Sequence, residues 1–146
     1  MNIERVEQLI RVLNDVEKQR KLFDIGTWSF EGPCGTSGCA IGWAARDEWH
    51  QKQGLHLERV ADPHGMFLPP FLPVYDGLQR GKAVEAYLEM DEMQTQRLFY
   101  QTAYGSGHVT ARQVAERLEK LLEIERLEKL LEIERAKMPV PELEEV

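Results

Sequence analysis

Residues 55–77 read LHLERVADPHGMFLPPFLPVYDG, and the fold turns on how they are read. The run has no helical period, and Pro63, Pro69, Pro70 and Pro73 fall inside it. A proline breaks a helix interior and cannot donate to a β-ladder, so neither regular element suits the run as a whole. Leu55, Leu57 and Val60 suit a short strand, but a lone strand needs a partner and none is recognisable. Phe67, Leu68, Phe71, Leu72 and Tyr75 make 62–77 too apolar for a linker, so it reads as an ordered loop laid across a core. With no sheet in prospect, the remaining segments must be assembled from helices.

Those segments are helical in pattern. Asn2 suits an N-cap, and Ile3, Val6, Leu9, Ile10, Leu13 and Val16 recur at spacings of three and four. This first helix is expected to end near Phe23, where Asp24-Ile25-Gly26-Thr27 is turn chemistry. Leu22, Phe23, Ile25 and Trp28 should then return the chain to the core. After the loop SFEGPCGTSG, a second helix is expected from Thr36 or Ser37 to about residue 52, with Gly54 as its stop. A third covers 82–90, with Ala83, Val84, Tyr87 and Leu88 inward. Asp91 and Gln94 open a fourth that runs to about residue 101. Thr110 and Gln113 form the capping-box pattern of a fifth, with Val109 and Val114 in the two positions of a hydrophobic staple. The expectation is an all-α bundle of about five helices, with an ordered Pro-rich loop and a long C-terminal helix.

The last helix contains a duplication. RLEKLLEIE stands at 117–125 and again, letter for letter, at 126–134. At ~100° per residue, nine residues make about two and a half turns, so the second copy turns its leucines away from the first. Leu118, Leu121 and Leu122 continue the core face begun by Val114, whereas Leu127, Leu130 and Leu131 face the other way. A helix over 111–137 would reach ~40 Å, beyond the ~30 Å breadth of a small domain. The chain therefore divides into a helical domain over 1–125, a projecting helical extension over 126–138, and an acidic tail over 139–146. Leu127, Leu130 and Leu131 are the expected self-association residues. They predict a homodimer in which two such helices pair antiparallel about a point near Leu127.

Composition bounds the function. A net charge of −7 over 146 residues argues against nucleic acid or anionic membranes as partners. No run approaches the ~18 apolar residues of a membrane span. The charged, amphipathic start MNIERVEQLI is unlike a secretory leader. Two cysteines do not make a disulfide framework at this length, so the expectation is a cytoplasmic protein with reduced thiols.

Residues 33–47, PCGTSGCAIGWAARD, are the chemically suggestive stretch. Cys39 near a helix N-terminus would have its thiolate favoured by the dipole and backbone N–H groups at hand as an oxyanion hole. A base would come from His50, His56, His64 or His108, none set in a recognisable motif. An enzyme would use Cys39 as nucleophile with His64 and His108 as the leading bases. A zinc site from Cys34, Cys39, His50 and His56 fails on length. Cys39 and His50 on one helix lie ~16 Å apart along its axis. Cys34, Cys39 and His64 remain the conceivable metal set, and a Cys34–Cys39 disulfide suits an oxidising compartment only. The reading preferred here is packing, with no cofactor or metal. Gly38 and Gly42, four residues apart, let another backbone lie close, and Trp28 and Trp43 supply bulk around a thin helix.

The stretch DIGTW followed by CGTSGCAIGWA resembles a motif in small uncharacterised proteins of bacteriophage and prophage genomes. In those a Trp precedes C-G-T-x-x-C-x-x-G-x-A, and an L-F element and a T-x-x-x-V-A-x-R helix follow. The counterparts are Trp28, Cys34 to Ala44, Leu98-Phe99, and Thr110 to Arg117. The resemblance implies a mobile-element origin and residence in a bacterial host, and it carries no reaction with it. The functional expectation is a non-enzymatic protein that binds another protein, with inhibition or modulation of a host defence or regulatory factor as the natural version. The rival is a cysteine-dependent hydrolase or transferase.

Overall fold

A computed structural model describes residues 1–32, 35–59 and 71–138. Its first helix, α1 (Ile3–Lys18), forms as the apolar spacing dictates. Asn2 Oδ1 accepts from the Arg5 N–H at 3.1 Å, and Val6, Leu9, Leu13 and Val16 are buried along one face. The helix stops short of Phe23 because Arg20 adopts a left-handed conformation at φ 54°. Leu22 and Phe23 form a short strand instead, and Leu22 is exposed rather than returned to the core.

The all-α expectation is corrected here: the fold is mixed α/β. Its strands are β1 (Leu22–Phe23), β2 (Ser29–Gly32), β3 (Gly35–Gly38), β4 (His56–Arg59), β5 (Phe71–Tyr75) and β6 (Leu78–Gln79). The spatial order is β1-β3-β2-β5-β4, with β6 also on β5; β1 and β3 are parallel and the other pairs antiparallel. The partner that the 55–60 strand needed is β5, inside the supposed loop. His56 stands opposite Val74, and Arg59 opposite Phe71. β5 tolerates a proline because of where it falls. Ser29 pairs with Phe71 and Gln79 with Val74 on the side of β5 away from β4, and Pro73 lies in the gap between those pairings. Among the described residues, that single Ser29–Phe71 pair is also all that joins the two halves of the sheet.

The expected single helix to residue 52 is two. Thr36 and Ser37 belong to β3, Cys39 is the N-cap of α2 (Ala40–Ala45), and Asp47 starts α3 (Glu48–Lys52) by accepting from the His50 N–H at 3.4 Å. Then come α4 (Arg80–Leu88), α5 (Glu92–Phe99), a 3-10 turn over Gln101–Tyr104, and α6 (Ala111–Lys137). Capping boxes are present at Asp91/Gln94 and at Thr110/Gln113, where their sequence patterns predict them. Val109 and Val114 are both buried beneath the start of α6.

α6 runs antiparallel to α1. Arg112 reaches Asn14 at 3.0 Å near one end, and Arg126 reaches Glu7 at 3.4 Å near the other. Ile41 and Ala44 of α2, Val84 and Leu88 of α4, and Leu118 and Leu122 of α6 close the core around α1. Beyond Arg126 the support runs out, since α1 begins only four residues before Glu7. Among the described residues, α6 buries nothing after Leu122.

Candidate functional site

Residues 24–28 cross directly over the start of α2. The Cys39 N–H donates to the Thr27 carbonyl at 2.7 Å, and the Asp24 N–H donates to the Gly38 carbonyl at 2.9 Å. The Trp28 carbonyl then presses onto the helix. A Cβ at Gly42 would sit 1.4 Å from that oxygen, and one at Gly38 would sit 2.8 Å from it. The Cys39 thiol faces the same carbonyl at 3.8 Å. Trp28 is half-buried against the core, and Trp43 donates its indole N–H to the Leu22 carbonyl at 2.9 Å. Gly38 and Gly42 thus meet the Trp28 carbonyl in one crossing of backbone over backbone, whereas the Trp43 side chain lies apart from it, beside Leu22, Lys21 and Val16.

That crossing shapes the chemistry of Cys39. The thiol is 4% exposed, and burial pushes its pKa up to about 11. The backbone groups of Ile41 and Gly42 at the start of α2 pull the other way, but desolvation outweighs them and Asp24 adds to the rise. Cys39 borders a cleft of about 390 Å³ with Trp28, Phe99 and Tyr100, and among the described residues no histidine lines it. His108 is exposed and borders a different cleft, beside Leu22, Phe23 and Thr110. His56 is exposed and paired with Glu58 at 3.2 Å. Cys34 and His64 lie outside the described residues. Among the described residues no three His, Cys, Asp or Glu side chains converge as a metal site.

A second cluster had no signal in the sequence. His50 is fully buried, its Nδ1 meets the Tyr87 hydroxyl, and desolvation lowers its pKa from 6.5. The Gln8 backbone and Asp47 favour the charged ring, while Arg11 and Arg5 oppose it. Arg5 donates to the Tyr87 carbonyl at 2.8 Å and the Tyr75 hydroxyl at 3.2 Å, with its guanidinium 4.6 Å from the Tyr87 ring centre. The arrangement locks α1, α3, β5 and α4 together. His50 lines neither the cleft beside Cys39 nor the one beside His108.

The exposed surface of α6 is different in kind. Ile124, Leu127, Leu130, Leu131 and Ile133 are each at least half exposed, between 50% and 58%. Ile124, Leu127 and Leu131 share one side of the helix, and at the body end that side continues into a groove of about 490 Å³ between α5 and α6. Leu98, Leu121 and Ile124 line it together with Arg97, Arg117 and Lys120. Arg117 is committed, donating to the Arg97 and Ala103 carbonyls and lying 3.6 Å from the centre of the Tyr104 ring. Among the described residues no helix is long and apolar enough to cross a membrane. No protein-family model, no curated protein and no solved structure matches the chain.

Proposed function

We propose that this chain is a non-enzymatic binding protein of the phage or prophage kind, acting on a bacterial host protein whose defence or regulatory role it inhibits or modulates. The observation that carries the reading is the apolar face of α6, whose large side chains stand half in water on a helix that outruns its own support. Exposed apolar surface gathered on one element is the usual mark of an interaction site. The resemblance of Trp28 and Cys34 to Ala44 to the phage motif supports the origin, and the charge of −7 supports a partner surface that is not acidic.

The rival, a cysteine-dependent hydrolase or transferase, has the cleft beside Cys39 in its favour. Against it stand a thiol held protonated at neutral pH and hydrogen-bonded to a main-chain carbonyl. The test is capture from a bacterial lysate, followed by saturable binding of the captured protein in purified form. Leu127→Glu combined with Leu131→Glu should abolish that binding. No saturable partner, or equal binding by the variant, overturns the reading.

A further inference from the structure

We propose that the chain pairs with a second copy of itself, the projecting half of α6 in each copy lying antiparallel along the α5–α6 groove of the other. The inference rests on the reading of α6 as a binding face and names what covers that face until a host protein displaces it. Three features argue for a second copy.

The first is continuity. Leu121, Ile124, Leu127 and Leu131 follow one another at spacings of three, three and four, which places them along one side of a helix. The apolar line therefore starts in the groove and runs out along the projection without a break. An antiparallel copy supplies the same line in reverse, setting the projecting Leu131 of one chain beside the groove-floor Ile124 of the other.

The second is charge. Arg97 and Lys120 on the groove rim form no side-chain hydrogen bond or ion pair among the described residues. The projecting half carries Glu128, Glu132 and Glu134. Lys120 and Glu134 stand seven residues to either side of Leu127, close to two full helical turns, so both lie on the facing side. A two-fold axis beside Leu127 brings each Lys120 to the other chain's Glu134, and Lys137 onto the flank of Glu119. Glu128 meets its own counterpart across that axis, a like-charge contact that fixes the register as testable.

The third is closure. A two-fold pairing of this kind uses both grooves and both projections, so assembly stops at two chains. The duplicated RLEKLLEIE, which breaks the single stripe of a straight helix, is what places a leucine set on the outward side.

Sedimentation equilibrium of the full chain at tens of micromolar should give a dimer. Leu127→Glu with Leu131→Glu should return it to monomer. Lys120→Glu alone and Glu134→Lys alone should each weaken the dimer at least about tenfold, and the two together should restore it. Glu128→Gln should tighten it. A strict monomer for the parent, or a dimer indifferent to the leucine and charge variants alike, overturns the pairing. If the leucine variant loses its circular dichroism signal, the charge-reversal pair decides alone. A monomer that still binds a host protein through α6 sinks only the pairing. A dimer that binds no host protein supports the pairing and sinks only the proposed function.

Discussion

The Trp28 carbonyl is the reason position 42 carries no side chain. A methyl there would overlap main chain, which cannot swing aside as a side-chain tip can. Gly42→Ala gains ~1 kcal/mol of helix propensity yet should lose about 3 kcal/mol net, since the crossing of 24–28 over α2 must open to admit it. Urea denaturation measures this, and a variant more stable than its parent would show the crossing to be absent. Cys39 lies beneath the same carbonyl. In a Cys34→Ser background, alkylation of the native protein at neutral pH should be slow and should accelerate on denaturation; rapid stoichiometric labelling would mean an open, reactive thiol. Because folding raises its pKa from 9.0 to about 11, the unfolded thiol ionises first. Cys39 therefore contributes stability that is full below pH 9.0 and is lost as the pH rises toward 11. His50 has the opposite bias. Its folded pKa lies below 6.5, so the unfolded chain takes the proton first, and stability should fall as the pH drops below 6.5. Denaturation midpoints between pH 7 and pH 5, compared with His50→Gln, should show a smaller acid loss in the variant. An equal loss would place the acid sensitivity elsewhere.

At the scale of elements, what could be read from the chain was what is local. Thr110 and Gln113 bond reciprocally at the head of α6, and Thr110→Ala should cost about 1 kcal/mol of stability in chemical denaturation. A cost near zero would mean that the first turn is held by Val109 and Val114 alone. Caps and apolar stripes lie within one or two turns, so sequence carries them whole. The sheet is not local. β4 and β5 are separated by 60–70, and their pairing leaves no trace in either strand taken singly. β2 and β3 are rich in Gly, Ser and Thr, the composition of a loop, and they are joined through backbone. Pro73 argued against a strand until its neighbours showed that its missing N–H falls between two pairings. The same division holds at the sites. Gly38, Cys39 and Gly42 announce a close approach within a few residues of one another, and Trp28 meets them from just upstream. The Arg5, His50, Tyr75 and Tyr87 cluster draws on four elements and has no spacing to recognise.

Across the whole molecule, the packed body and the projecting helix should separate cleanly under mutation. Leu122 is the last residue that α6 buries among those described, so the second copy of RLEKLLEIE adds no core. Removing residues 126–134 leaves the first copy in place and brings Arg135 to the position that Arg126 held, within reach of Glu7. Even that exposed ion pair, worth at most ~1 kcal/mol, is conserved by the deletion. The shortened chain at low concentration should therefore unfold within about 0.5 kcal/mol of its parent, the range of surface changes that touch no packed feature. What it should lose is association, because Leu127, Leu130 and Leu131 leave together with Glu134. Chemical denaturation at sub-micromolar concentration and sedimentation at tens of micromolar measure the two properties independently. A deletion that unfolds the body would make the second repeat part of the core, and one that changes neither property would leave the exposed leucines without a role.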